Sequence, residues 1–408
     1  MIVSRTETHC VKSSNPCFSM LLSFCHASKN LYNHANYLVR NEFFKTGLWL
    51  RYKDLNKLLR NDKAYPDYKN MPTAQSAQQI LRLIDKNWVS FFKSIKDWSK
   101  NKHKYSGKPR PPKYLKKDGN YILILTNQNC KYNNGVISFP KIFNGFEIKP
   151  QFANKGNLKS FQQIRMIPHK DRIVIEVVYN IEIPDQKPDN KRVISVDLGV
   201  NNLAAVCNNM GYPAFIVNGK PLKSINQFYN KKISHYRSLC KRMNNKNYSN
   251  EMNRLTKKRN SKMNDYMHKA SRFIVDYCVT NQINTIIIGK NKGWKQNVSM
   301  GNVVNQNFVQ IPFNRFISMI QYKANEQGIA VVITEESYTS GTSFIDNEKP
   351  TRAKYNKARR VKRGLFISNK GISINADLNG AYQIMKKVFP IKWDSGCALH
   401  PVVVNLNS

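Results

Sequence analysis

The chain has 408 residues, and its 66 lysines and arginines against 25 aspartates and glutamates give a formal net charge of +41. An excess of that size strains a compact state by self-repulsion and favours a polyanionic partner, so a long nucleic acid is the expected neutraliser. A hydrophobic share of 41% is enough for buried cores over two or three domains and excludes a disordered basic tail.

Further classes fall away on local grounds. Residues 18–24 are too interrupted by polar side chains for a signal-peptide core, and no apolar run is long enough to span a bilayer. The eight cysteines include no Cys-x-x-Cys pair, which reads as free thiols in a reducing cytoplasm, with no membrane partner. The sequence has no Gly-x-Ser-x-Gly and no P-loop motif, and its histidines are scattered; His26 and His34 read as structural.

In chain order, residues 18–60 read as helices with Leu21, Leu22, Cys25, Ala27, Leu31 and Tyr32 on a buried stripe. A second helix starts after Pro72-Thr73 and repeats Ala77, Ile80, Leu81, Ile84, Trp88, Phe91, Phe92, Ile95 and Trp98 at three- and four-residue steps, its aromatics reading as core. Residues 100–117 cannot continue it because prolines and a glycine intervene. That stretch is an extended basic loop in which Lys108, Arg110, Lys113, Lys116 and Lys117 suit phosphates, while Tyr114 or Tyr105 suits a base.

From 121 to 183 the period becomes two, predicting strands at 121–125, 136–139 and 146–148 and a hairpin of 163–167 with 173–183. A polar, proline-marked boundary follows at 184–190. Next come a strand at 192–198 and two more at 203–207 and 214–217. Residues 221–280 form a basic helical hairpin carrying Lys231, Lys232, Arg237, Lys241, Arg242, Lys257, Lys258 and Arg259. A strand at 284–289, a helix at 311–327, a strand at 329–334 and a helix from about 375 complete the chain.

Two acids stand out in this order. Asp197 closes a strand-like run and Asp377 opens the last helix, the placement an RNase H-type nuclease uses to hold two divalent cations against a phosphodiester. Only eleven acids occur from residue 193 onward, and Glu335 and Glu336 are adjacent among them.

The order of elements and four motifs resemble the TnpB family, the RNA-guided endonucleases of insertion sequences related to type V CRISPR effectors. The motifs are Asp197-Leu-Gly-Val-Asn-Asn202, Asn305-Gln-Asn-Phe-Val-Gln-Ile-Pro312, Ser337-Tyr-Thr-Ser340 and Asn375-Ala-Asp-Leu-Asn-Gly-Ala-Tyr-Gln-Ile384. Weaker echoes at Leu31-Tyr-Asn33 and Gly107-Lys-Pro-Arg-Pro-Pro112 extend the resemblance over most of the chain.

The resemblance implies a multidomain α+β protein. Its parts would be a mainly helical recognition region at 1–120, a β-barrel-like module at 121–188 and a C-terminal RNase H-like (RuvC) α/β nuclease domain at 189–408. It implies a guide RNA and double-stranded target DNA as partners and two Mg²⁺ ions as cofactors. Sequence choice would come from guide pairing, with a short adjacent motif read by the protein.

Two departures matter. The glutamate the family carries at the end of the strand at 285–289 is here Gly289. The acid pair ends the next strand, roughly 5 Å away at the spacing of paired strands, so Glu335 is expected as the replacement, with Glu336 as substitute. The cysteine pairs that form a zinc site in the family are missing from 341–372, so no zinc is expected and packing or bound nucleic acid must hold that insert.

The expected activity is therefore Mg²⁺-dependent DNA cleavage with Asp197, Glu335 and Asp377 as catalytic metal ligands and Asn379 orienting Asp377 or a substrate phosphate. The alternatives are a guided DNA-binding repressor that does not cut, because Gly289 has broken the site, and a cut-and-paste transposase acting on element ends.

Overall fold

The computed structural model describes residues 1–408 apart from 155–156, 246, 292, 294–305, 307, 363, 393–400 and 407–408. By internal packing the chain divides into two units, Met1–Glu182 and Ile183–Ser408.

In the first unit, α1 (Phe18–Thr46) buries Leu21, Cys25, Leu31, Tyr32, Ala35 and Val39, a stripe at helical spacing, while Leu22 and Ala27 are only half-buried. The helix stops at Gly47, whose φ of 75° is the left-handed conformation that glycine adopts most cheaply. A short α2 (Tyr52–Arg60) precedes α3 (Ala74–Lys100). The α3 amino end is capped by Thr73, whose hydroxyl accepts from the Ser76 amide at 3.1 Å. The indole of Trp88 is buried and donates to Asn36 Oδ1 at 3.1 Å, as a core side chain does.

The strands of this unit form two open sheets among the described residues. One has the order β1-β7-β6-β2, from β1 (Ile2–Lys12), β7 (Arg172–Glu182), β6 (Leu158–Pro168) and β2 (Leu123–Thr126). The other joins β3 (Lys131–Asn133), β4 (Val136–Ser138) and β5 (Glu147–Ile148). The expected barrel-like module is thus a pair of sheets. The expected break near residue 120 is not a unit boundary, because β1 from the chain start pairs along its whole length with β7.

The second unit centres on a six-stranded mixed sheet, β12-β11-β8-β9-β10-β15. Here β8 (Val193–Leu198), β9 (Asn202–Asn208) and β10 (Phe215–Asn218) make an antiparallel meander, and β11 (Thr285–Gly289) lies parallel to β8 and to β12 (Ala330–Thr334). A short β15 (Val402–Val404) extends the far edge. The helices are α4 (Lys220–Asn244), α5 (Asn250–Thr280), α6 (Phe313–Asn325) and α7 (Ala376–Val388), and β13 (Leu365–Ile367) pairs with β14 (Ser373–Asn375).

Both faces of this sheet are covered, and the two-residue period of a strand assigns each side chain to one of them. Ile194, Val196, Leu198, Ile286 and Ile288 pack with α5 and α6 residues such as Ile274 and Phe316. Val193, Ala205, Cys207 and Ile287 pack with Leu378, Ala381 and Tyr382 of α7. Positions 193, 195 and 197, and likewise 287 and 289, therefore face α7. Of the described helices, none is long and apolar enough to cross a membrane. The described cysteines are free thiols, and Cys397 lies outside the described residues.

Candidate active site

On the α7 side of the sheet, the Ser195 hydroxyl donates to the Ala381 carbonyl, tying β8 to the helix two residues before Asp197. The approach is close enough that a β-carbon on Gly380 would stand 2.5 Å from Asp197 Oδ2. A glycine is the residue that lets this turn of α7 lie on the carboxylate.

Asp377 sits in the first turn of α7, where the helix N-terminus favours a negative charge. The Asn375 side chain caps this turn by accepting from the Asp377 and Leu378 amides at 3.0 and 3.3 Å. The Asp377 carboxylate accepts from Asn202 Nδ2 at 2.7 Å through Oδ2 and from Arg360 Nη2 at 2.7 Å through Oδ1.

The acid pair divides between two environments. Glu336 accepts from Asn291 Nδ2 at 3.3 Å, and its backbone amide donates to Asn291 Oδ1 at 3.0 Å. Its Oε2 lies 3.0 Å from where a β-carbon on Gly289 would be. Burial, with help from the charge of Glu335, pushes the Glu336 carboxyl up to about 7.

Glu335 takes a different course. Its side chain is 58% exposed, is bonded by Lys387 Nζ at 2.9 Å, and accepts from the Ser337 amide at 3.0 Å. These bonds, led by Lys387, hold its carboxyl below the usual glutamate range.

The carboxyl group of Asp197 is raised well above the usual aspartate range by burial first, then by the charges of Asp377 and Glu336, with Arg360 opposing. The acids that share a field are thus Asp197, Asp377 and Glu336. Of the two glutamates, the expected Glu335 is turned out to Lys387, and the substitute Glu336 is the one whose charge reaches Asp197. Glu336, two residues past the end of β12, is held there by the Asn291 side chain, which bonds both its carboxylate and its backbone amide. Among the described residues, no three His, Cys, Asp or Glu side chains stand close enough to hold an ion together.

Asn379 is also placed differently from expectation. It is fully buried, donates to the Thr342 carbonyl at 2.8 Å and accepts from the Phe344 amide at 2.9 Å. It anchors the 341–372 insert to α7 and does not touch Asp377. Four residues that sequence reasoning missed meet the acids instead: Asn202, Asn291, Arg360 and Gly380. Asn202 and Gly380 lie inside the quoted motifs, so their positions were visible while their contacts were not. Asn305 and Asn307 of the second motif lie outside the described residues.

The basic candidates fall on two surfaces. In the first unit, residues 112–117 run along α1, with their carbonyls bonded by Lys29, Asn33, Asn36 and Arg40. This pinning leaves the side chains of Lys108, Arg110, Lys113, Tyr114, Lys116 and Lys117 exposed. Arg40 lies over the Tyr114 ring at 5.4 Å, whereas the Tyr105 hydroxyl is taken by Asp97 at 2.7 Å.

In the second unit, Lys231, Lys232, Arg237, Lys241, Arg242 and Lys258 are exposed on the α4–α5 hairpin and Lys257 is half-buried. Arg259 is an internal cross-link. It donates to Asn226 Oδ1 at 2.8 Å and to the Gln310 carbonyl at 2.7 Å, and burial lowers its pKa.

Comparison with known proteins adds an independent line. Residues 176–295 match the OrfB_IS605 probable-transposase model, and residues 313–384 match the Cas12f1-like TNB domain model. The chain is 24% identical over 396 residues to the TnpB-like protein ORF457 of Acidianus two-tailed virus, covering 88% of this chain and 81% of that one.

Among solved structures, a Cas12f1–sgRNA–target DNA complex is similar at TM-score 0.38 and 14% identity, over 93% of this chain and 98% of the other. C2c1 of Alicyclobacillus acidoterrestris in complex with single-guide RNA is similar at TM-score 0.38 and 8% identity, over 88% and 65% of the two chains. Two family models met in succession, and a relative matched over most of the chain, agree with the motifs: the chain is similar to proteins of the TnpB family.

Proposed function

We propose that the protein is an RNA-guided DNA endonuclease of a transposable element, in which Asp197, Glu336 and Asp377 hold two divalent cations at the ends of β8, β12 and the start of α7. The observation that carries this reading is the pair of glycines: Gly380 and Gly289 lack side chains where the carboxylates of Asp197 and Glu336 sit. An antiparallel meander, two added parallel strands and a closing helix support an RNase H-like nuclease fold for the second unit.

The chemistry of these residues, rather than their spacing in this structure, suits hard divalent cations. The donors are all carboxylate oxygens, and a bound cation would offset the burial and the charges of Asp377 and Glu336 that raise Asp197. When bound, such ions supply an activated water and stabilise charge on the departing 3′ oxygen. The chain itself fixes Asp197 at the end of a buried strand, fixes Asp377 on a capped helix turn, and places Arg360 and Asn202 to donate to the Asp377 oxygens.

Similarity to the TnpB family implies a guide RNA and double-stranded target DNA as partners. The exposed lysines and arginines of 108–117 and 231–258 offer them sequence-independent phosphate contacts. In this reading the first unit holds the guide–target duplex and reads the adjacent motif.

One observation favours a guided binder that does not cut: both Asp377 oxygens are engaged by protein groups. Expression with flanking DNA, sequencing of the RNA that co-purifies, and a plasmid assay with Mg²⁺ separate the readings. Defined RNA with Mg²⁺-dependent cleavage lost in Glu336→Gln supports the nuclease. Defined RNA with no cleavage leaves the binder, and absence of RNA overturns both.

A further inference from the structure

The segment between Gly341 and Asn375 has little regular structure, yet Phe344, Ile345, Phe366 and Ile374 within it are buried. At its centre is Arg359, whose side chain is 12% exposed. Its Nη1 lies 2.9 Å from Glu348 and 3.8 Å from Asp346, and Nη2 donates to the Lys354 carbonyl at 3.1 Å. The guanidinium also lies over the Phe366 ring at 6.0 Å.

The two carboxylates reach onward. Glu348 accepts from the Ser343 amide at 2.8 Å, and Asp346 accepts from the Asn369 amide at 2.7 Å. One guanidinium therefore joins the strips around 343–348, 354–359 and 366–369. That block is docked on α7 through Asn379 and through a stacked pair, Phe344 on Tyr382, at 4.4 Å and 9°.

The next residue, Arg360, turns outward to Asp377. Its side chain is 35% exposed, and an ion pair that open to water does little to order its own long side chain. The order must come from the backbone that carries it. We propose that Arg359 is a positioning residue: its enclosed ion-pair knot with Asp346 and Glu348 fixes the chain at 360 and so keeps the Arg360 guanidinium against Asp377.

This deepens the nuclease reading and rests on it for its consequence in cleavage, but its geometry is testable without any cutting. In the full chain with its guide RNA, Arg359→Met, Arg360→Met and the double variant are compared by single-turnover cleavage of bound target. Arg359→Met is expected to slow cleavage about 10-fold or more with target binding kept, and to have no further effect in the Arg360→Met background. Losses that multiply in the double variant, or an Arg359→Met that cuts at the parent rate, overturn the proposal.

The second measurement is phenylglyoxal labelling of Arg360 read by mass spectrometry, which needs no activity. Labelling is expected to rise several-fold in Arg359→Met, and also in Glu348→Gln, which loosens the knot while keeping the side-chain shape. Equal labelling in parent and variants overturns the proposal. A parent that never cuts counts against the nuclease reading alone, and the labelling then decides this one.

Discussion

Glu336 and Gly289 occupy one space between them: the Oε2 of the first, two residues past the end of β12, lies 3.0 Å from the β-carbon position of the second at the end of the neighbouring β11. A carboxylate arriving from β12 thus uses the room left by the side chain β11 lacks. Gly289→Glu should accordingly fail to enhance cleavage, although it restores the family's residue. Its β-carbon would also meet Ile384 Cδ1 at 2.5 Å, overpacking that costs about 1–3 kcal/mol. A plasmid assay paired with thermal melting checks this; faster cutting with unchanged melting would remove the shared-space account.

The acid pair provides a sharper comparison. Glu336→Gln should reduce cleavage by at least about 100-fold, the scale expected when a metal-holding carboxylate is neutralised. Glu335→Gln should stay within about 3-fold of the parent, because an exposed lysine pair contributes little. Initial rates on supercoiled plasmid distinguish them, and the reverse ranking would return the role to Glu335.

Glu336 also predicts a pH dependence of stability in metal-free protein. With its folded pKa raised to about 7 against about 4.3 unfolded, the folded state holds the extra proton between those values. Its stability penalty is absent below the lower value, grows as pH rises through that window and is fully present above pH 7. Glu336→Gln should therefore raise the melting temperature by about 2–4 °C above pH 7 and have little effect near pH 4. Melting curves in a chelating buffer across that range test the sign.

Lys323 offers a second test of sign. Its ammonium is enclosed between the His268 carbonyl and Ser271 Oγ, each at 2.7 Å, and burial lowers its pKa to about 8. The unfolded chain binds the proton more tightly, so this lysine's cost is present below pH 8 and is relieved as pH rises toward 10. Lys323→Met should consequently differ most from the parent at neutral pH, and the two melting curves should converge as the buffer is made alkaline. A difference independent of pH would show that the hydrogen bonds, and not the charge, dominate.

Arg259 and its neighbours Lys231 and Lys232 separate structural from electrostatic roles. Removing both lysines should weaken nucleic-acid binding at all sequences and reduce the salt-dependence slope by roughly 0.7–0.9 for each phosphate that is no longer neutralised. Arg259→Ala should leave that slope alone while lowering stability, since its guanidinium ties α5 to Asn226 and to the Gln310 carbonyl. Filter binding at several salt concentrations supplies both slopes.

Much of this architecture is legible in the sequence where periodicity is strong. The α3 stripe, the 172–182 hairpin strand and the helices of 220–280 follow from it. The first strand is not legible, because its alternating positions carry Ser, Arg, Thr, Glu and His, and a pairing 160 or more residues away supplies what the local pattern lacks. The choice between Glu335 and Glu336 is hidden for a related reason. The strand before them reads Ala-Val-Val-Ile-Thr, which shows no apolar–polar alternation to say which of two residues past its end turns inward. Arg360 sits in an insert without periodicity, so only the tertiary fold brings it to Asp377.

The neighbouring arginines of that insert bear on how the net charge of +41 is used. Arg359, Arg259, Lys323 and Lys29 each direct their cationic ends to internal oxygens of the fold. A polyanion therefore meets a sparser and more patterned set of cations than the number of basic residues suggests, and counterions will leave chiefly from the hairpin and the proline-rich strip. Blanket reversal of surface charge should cost such a protein its grip while sparing its shape, whereas neutralising those few interior cations should do the opposite.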